Sequence, residues 1–500
     1  MSASRTAEAG ASVDPDPRRW WGLMVIALAQ LMVVLDATIV NIALPSAQRD
    51  LDMSDGNRQW VITSYTLAFG GLLLLGGRVA DLVGRKRTFV IGLVGFATAS
   101  ALGGAAANAG MLFGARALQG VFAAVLAPSA LSLLTTTFTD PRERGRAFSI
   151  YGTLAASGSA IGFMVGGLLT EYLNWRWCLY VNVPIAVLAV AGAFALLQDS
   201  PRHAGARLDV PGVLLGCGGL VAIVHGFGEA ESRGWSDPMV PGLFAGGVVL
   251  VAVFVWWQTR ASVPLLPLHI IKDRNRAGCY LTMMLAVMGM FGMFLFLTYY
   301  LQTVLDYTPV QTGLAFLPLT ASILIGSTQI AARLLQHVPP RLLLAPGMLL
   351  AASGMLFLTQ ITVHSVYATD ILPALIPMGL GMGLTFTPVF STATAGVAPH
   401  DSGVTSAGVN TAQQVGGSIG TALFNTIATT GSTTYIAAHL TGPAQRAEVT
   451  REGIVHGYTV AIRCAVGIML LAGLVAVLMI TAKAPKSRAA DQPPVPESVV

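Results

Sequence analysis

Apolar stretches of about twenty residues, the length of one transmembrane helix, recur from Trp20 to Ile480 between short breaks of charged, proline and glycine residues. Fourteen helices are predicted, beginning near residues 20, 59, 88, 110, 146, 177, 209, 239, 277, 310, 341, 367, 403 and 455. Irregular backbone facing lipid would leave its polar groups unsatisfied, so the spans must be helical. The pattern predicts an all-α polytopic membrane protein.

Composition narrows the class further. Of 500 residues, 54% are hydrophobic and 11% charged, and the mean hydropathy is +0.67, which excludes an ordinary soluble domain. The 55 glycines suit membrane helices that pack through small residues. The first apolar run, Leu23 to Leu35, follows Arg18 and Arg19 and continues past signal-peptide length, so it is expected to remain as the first span. Cys178, Cys217, Cys279 and Cys464 lie in separate runs without CxxC spacing, and neither a disulfide nor a metal site is expected.

The net charge of +5 comes from basic residues scattered over short loops, a topology signal and not a nucleic-acid surface. With a cytoplasmic N-terminus, 21 of the 29 Lys and Arg residues fall on the inner side, six fall outside, and Arg116 and Arg463 fall within spans. The positive-inside rule then places both termini in the cytoplasm of a multi-pass inner-membrane protein. Trp20, Trp21, Trp60, Trp175, Trp177, Trp256 and Trp257 sit at span ends, as interfacial anchoring requires.

An internal repeat organises the helices. Pro141-Arg-Glu-Arg-Gly145, followed by Gly158, Ile161 and Gly162, recurs 258 residues later as Pro399-His-Asp-Ser-Gly403, followed by Gly416, Ile419 and Gly420. At an offset of 255, Arg78, Val83 and Gly92 match Arg333, Val338 and Gly347. Helix n thus resembles helix n+8, an even offset that makes the repeat parallel. The expected division is a tail over 1–19, a six-helix bundle over 20–198, two inserted helices over 199–258, a cytoplasmic loop over 259–276, a second six-helix bundle over 277–481 and a tail over 482–500.

These residues resemble the major facilitator superfamily, and within it the fourteen-helix drug:proton antiporters. Gly77-Arg-Val-Ala-Asp81, continuing to Gly84-Arg85-Lys86, is similar to the superfamily's loop motif between its second and third helices. Arg116-Ala-Leu-Gln119-Gly120 resembles the fourth-helix motif, and Leu35-Asp36 through Thr38, Asn41 and Pro45 resembles the first-helix motif of the drug exporters. Trp175-Arg-Trp177 and Asn182-Val-Pro184 resemble their connection between helices five and six. The resemblance implies a major facilitator fold of two six-helix bundles plus two inserted helices. It also implies an antiporter motif on Gly158, Gly162, Gly166 and Gly167, although Phe163 stands where that motif carries proline.

Asp36 is the deepest carboxylate, about nine residues or 13 Å from Pro45 along a helix, and Arg116 lies at similar depth, so the two can pair. Ionisable residues in a membrane are costly and mark transport paths, which makes Asp36 and Arg116 the proton-coupling candidates. A permanent ion pair that only fixes packing is the alternative. Gly77, Asp81, Gly84, Arg85 and Lys86 are read as a cytoplasmic gate.

The thirteenth helix carries Asn410, Gln414, Gly417, Thr421 and Asn425 on one arc, expected to line the substrate cavity together with Asn41 and Gln119; hydrogen bonding between helices is the competing reading. His225 reads as structural, and Arg463 as a partner of lipid headgroups or of the cavity.

No GxxxxGK[ST] segment is present, and the histidines form no metal motif, so neither direct ATP use nor an integral-membrane enzyme is expected. No cofactor is expected, and a proton gradient supplies the energy. The resemblance implies export of hydrophobic or amphipathic drugs, antibiotics or secondary metabolites, with monocationic or neutral compounds favoured by the single deep carboxylate. Transport of a siderophore, lipid or nutrient is the alternative cargo, and a membrane sensor the alternative class. Protons, drug and bilayer are the expected partners; the oligomeric state is left open, a monomer being sufficient.

Overall fold

The structure, a computed structural model, describes residues 19–482 apart from 139, 199–208, 263, 266–267, 398–401 and 441–444. Some side chains within helices, Asp81 among them, also lie outside that description, as does most of the repeated turn at Pro141 and Pro399. The first half comprises α1 (Arg19–Asp50), α2 (Trp60–Val83), α3 (Arg85–Gly104), α4 (Ala109–Thr137), α5 (Pro141–Tyr172) and α6 (Trp177–Leu196). Two intervening helices follow, α7 (Val210–Arg233) and α8 (Met239–Gln258). After a short helix at Leu268–Lys272, the second half comprises α9 (Arg274–Val304), α10 (Pro309–Leu334), α11 (Arg341–Leu358), α12 (Tyr367–Thr394), α13 (Ser402–His439) and α14 (Arg446–Met479).

Among the described residues, twelve helices are long and apolar enough to cross a membrane. Two more, α5 with 32 residues and α13 with 38, have the length and pack in the same bundles, α5 against α1 in the first and α13 against α9 and α14 in the second, with α13 also meeting α2 across the halves. Three predicted starts move outward, from 88 to Arg85, from 146 to Pro141 and from 455 to Arg446. In each case polar residues continue the helix beyond the hydrocarbon, where hydropathy no longer registers it. The first helix likewise runs through Pro45 to Asp50, because a proline removes one backbone bond without requiring the chain to turn.

Gly84 alone separates α2 from α3, with φ of 102°, a left-handed conformation that favours glycine. The matching link in the second half, 335–340, is longer and holds Pro339 and Pro340.

Lipid tails are as apolar as leucine, so the bundles are held by close packing and not by withdrawal from water. Val187, Leu188, Phe194, Val248, Val249 and Trp256 are accordingly exposed on the outside. The first half packs Leu23, Ile26 and Met32 of α1 against Phe89, Leu93 and Phe96 of α3 and Ala186 and Ala189 of α6. A larger cluster crosses between the halves, joining Ile39, Ile42 and Phe163 to Phe296, Phe316 and Tyr458. The inserted pair is tied at its inner end by Asp209, which accepts from Gly212 N–H, Trp257 Nε1 and Gln258 Nε2. On its other side α7 lies over the seam between α2 and α13, where Leu67, Val224 and Ala422 meet.

Candidate functional site

Asp36 sits in the middle of α1, fully buried, and four other helices supply its surroundings. Arg116 and Gln119 lie one turn apart on α4, Ser100 on α3, Asn182 at the start of α6 and Tyr65 on α2. Gly120 lets α4 and α2 approach so closely that a Cβ there would stand 2.4 Å from the Tyr65 carbonyl, bringing the Arg116 side chain onto α2. Arg116 donates from one terminal nitrogen to Asp36 Oδ2 at 2.6 Å and to Gln119 Oε1 at 2.8 Å, and from Nε to the Val61 carbonyl at 3.0 Å. Its guanidinium lies 4.4 Å from the centre of the Tyr65 ring, a cation–π contact.

The other carboxylate oxygen, Oδ1, accepts from Gln119 Nε2 at 3.0 Å and from Asn182 Nδ2 at 2.8 Å. Both amides also reach Ser100 Oγ, at 2.6 and 3.3 Å. Two opposite charges so far from water demand this degree of satisfaction, since taking each ion out of solvent costs several kcal/mol. A void of about 10 Å³ beside Arg116, lined by Val40, Leu44, Val61 and Leu112, has room for about one water. The pair is enclosed, Asp36 being 0% and Arg116 1% exposed. What it can do is hold one negative charge at membrane depth and exchange it for a proton when its donors move.

The end of the bundle that the charge pattern places outside is closed by contacts between halves. Gln302 Nε2 donates to the Ile42 carbonyl at 3.0 Å, and the Val310 N–H to Glu171 at 2.9 Å. The hydroxyls of Thr66, in the second turn of α2, and Ser418, midway along α13, meet at 2.8 Å. Phe163 stacks on Phe316 at 4.9 Å and meets Phe294 at 5.6 Å, so the residue in the proline position of the antiporter motif reaches across to α10 and α9. Gly158, Gly162 and Gly166 face Leu31, Val34, Thr38 and Ile39 of α1, within one half, whereas Gly167 faces the Pro309 and Val310 backbone of the other.

The chain matches the profile of the Major Facilitator Superfamily over residues 26–421. It belongs to the major facilitator superfamily. It is 56% identical to the puromycin resistance protein pur8 of Streptomyces alboniger over 97% of this chain and 95% of that one. It is 37% identical to the cephamycin export protein CmcT of Amycolatopsis lactamdurans, covering 83% and 87% of the two chains. The fold is similar to that of a bacterial homologue of the lysosomal transporter Spinster in an inward-facing, occupied conformation, with a TM-score of 0.64 at 15% identity, covering 93% and 97%. The chain is a membrane transporter of this superfamily, and not an enzyme.

The remaining superfamily residues separate into several settings. Gln119, read as a cavity residue, instead orients the Asp36 carboxylate. Asn41 is buried and donates to the Ala37 carbonyl of its own helix. On α13, Asn410 and Gln414 are half-buried, and Gly70 of α2 lies against the Gln414 side chain. Thr421 and Asn425 are buried in the outer closure.

Within the cytoplasmic motif, Lys86 does not reach the other half. Its ammonium donates to the Leu197 carbonyl at 2.6 Å and lies 3.4 Å from that of Phe194, capping the C-terminus of α6. Gly77 faces Pro128 of α4, Arg85 is half-buried in the first turn of α3, and the Asp81 side chain lies outside the described residues.

His225 lies 3.6 Å from Glu229 on its own helix, and Arg463 is exposed on α14, away from Asp36. Asp50 accepts from Trp175 Nε1 and from Arg176, so the Trp-Arg-Trp segment fastens the outer end of α1. Sequence reasoning missed the roles of Asn182, Ser100 and Tyr65. It also missed a cavity of about 550 Å³ at the outer end of α13 and α14, lined by Trp235, Tyr435, His439 and His456.

Proposed function

We propose that the protein is a proton-coupled exporter of an amphipathic antibiotic, carrying drug outward as protons move inward. The buried Asp36–Arg116 pair, with Gln119 and Asn182 on the second carboxylate oxygen, is the observation that carries this reading. One carboxylate that alternates between an ion pair and a protonated state suits a single-proton carrier. The export-protein relatives direct the choice of cargo, and puromycin is the first compound to test.

The two halves rock about the site, and proton and drug favour differently exposed states through differential affinity. Asn410 and Gln414, half-buried on α13, contribute to the drug cavity in this mechanism. Both termini face the cytoplasm, in keeping with the excess of basic residues on that side, and one chain suffices.

Everted vesicles carrying the transporter and a pH-sensitive dye test the coupling. Puromycin added to a preformed proton gradient is expected to release protons through the parent protein and not through Asp36→Asn, while bound radiolabelled puromycin is retained by both. Proton release through Asp36→Asn equal to the parent's would overturn the assignment. An Asp36→Asn protein that no longer binds drug or survives extraction would support the fixed structural pair instead.

A further inference from the structure

The outer closure contains a second deeply placed arginine that no motif claims. Arg58 stands just before α2 and is only 5% exposed, although it belongs to an outer turn. Its guanidinium carbon lies 4.0 Å from the centre of the Tyr299 ring on α9, and its Nε donates to Asn425 Oδ1 on α13 at 3.3 Å. Its terminal nitrogen pairs with Asp55 at 3.0 Å, and Asn425 Nδ2 returns a bond to the Asp55 carbonyl at 3.0 Å. Tyr458 of α14 also contacts the guanidinium. A cation from the first half is thus held by three helices of the second, one of its partners being an aromatic face, that of Tyr299, suited to a desolvated cation.

This latch is joined to the proton site by backbone. The Val61 N–H donates to the Arg58 carbonyl at 3.2 Å, and the Val61 carbonyl is the group that Arg116 Nε holds. Arg116 therefore grips Asp36 with one nitrogen and the first turn of α2 with another. The titratable and charged groups facing Asp36 are Arg116, Tyr65 and Cys178.

We propose that the turn leading into α2, Arg58 to Val61, couples the charge on Asp36 to an outer latch formed by Arg58 with Asn425 and Tyr299. With Asp36 charged, Arg116 is fixed, Val61 is anchored and Arg58 is presented to the second half. Neutralising Asp36 removes the ion pair that fixes Arg116, the anchor on Val61 slackens and the latch opens. Arg58 is a positioning residue in this scheme: it touches neither proton nor drug.

The proposal rests on Asp36 as the proton carrier, and its test is separable from that reading because it uses neither drug nor gradient. Thr421, buried one turn inside Asn425, is replaced by cysteine in a full-length chain whose four native cysteines are serine, and labelling by a membrane-impermeant maleimide is followed from the outside. Asp36→Asn is expected to raise labelling about five- to tenfold over the parent, the scale of a typical coupling between sites. Arg58→Ala should raise it to the same level, and Asp36→Asn added to Arg58→Ala should raise it no further. Arg116→Lys, which keeps a charge but cannot fork between Asp36 and Val61, should make labelling insensitive to Asp36→Asn.

Asn425→Ala attacks the latch from the other half and substitutes for Arg58→Ala if that variant fails to fold. Protection of the thiol in both latch variants would overturn the latch. Equal increments from Asp36→Asn with and without Arg58, or none in the parent, would overturn the coupling.

Discussion

Asn182 donates to Asp36 Oδ1 at 2.8 Å, sharing that oxygen with Gln119 and leaving Oδ2 to Arg116. The ion pair is therefore held from α6 as well as from α4, and the carboxylate cannot turn without releasing an amide. Removing one partner of a buried hydrogen bond costs about 1–3 kcal/mol, more when a charge is involved. On the proposed export of puromycin, Asn182→Ala is expected to lower that export roughly tenfold, since about 1.4 kcal/mol corresponds to a factor of ten, with expression retained. Asn182→Asp, which sets a second carboxylate 2.8 Å from the first, should abolish export. Efflux from preloaded cells, normalised to protein level, checks both; parental efflux in Asn182→Asp would contradict the role.

Two glycines on α5 should fail in different ways. A Cβ on Gly162 would stand 1.8 Å from Thr38 Oγ1 inside the first half, while one on Gly167 would stand 2.7 Å from the Pro309 carbonyl across the interface. Overpacking a tight contact costs about 1–3 kcal/mol. Gly162→Ala is expected to lower the thermal unfolding temperature of the detergent-solubilised protein. Gly167→Ala should leave that temperature near the parent's and increase outside labelling at the Thr421→Cys reporter. The same response from both variants would remove the distinction.

Phe163 couples the halves through its stack on Phe316 and contact with Phe294. Truncating a buried phenylalanine to alanine costs about 3–5 kcal/mol, and here the loss falls on the closed arrangement of the two halves. Phe163→Ala should therefore open the outer side, read as faster labelling at Thr421→Cys, and Phe163→Tyr, which keeps the ring, should not. Slower labelling in the alanine variant would reverse the assignment.

Lys86 caps the last carbonyls of α6, a contact within one half. Lys86→Met is expected to reduce stability by about 0.3–1 kcal/mol, the scale of a cation at a helix C-terminus, without altering reporter labelling. A thermal shift assay beside the labelling measurement separates this from a gate. A large change in labelling at unchanged stability would restore the gate reading for this residue.

Helix order and twelve of the fourteen expected spans were legible because spans must be apolar and long, constraints written directly into hydropathy. Asp36 and Arg116 were legible for the converse reason, standing out as charges where charges are expensive. Asn182, Ser100 and Tyr65 were not, since a single polar residue in a span is unremarkable until other helices converge on it. Arg58 resembled any solvated loop arginine, and only the approach of Tyr299 and Asn425 from the other half reveals it as buried. Gln119 and Lys86 were placed in the right segments without the groups they meet, the Asp36 carboxylate and the last carbonyls of α6: spacing tells which face a residue shares, not which helix lies opposite. Phe163 stood out as a departure from a motif, but the ring it meets comes from a helix more than a hundred residues away.

The pair α7 and α8 covers only one of the two seams between the halves. It lies over α2 and α13, where Thr426 of α13 donates to the Phe227 carbonyl of α7 at 2.8 Å. On the opposite flank, Ile161, Met164 and Leu168 of α5 and Leu314 of α10 remain exposed. The molecule consequently has a shuttered side and an unshuttered one. Among the described residues, the uncovered apolar seam runs along α5 and α10, so in the proposed mechanism a cargo that partitions into the bilayer would meet the joint between the halves from that flank.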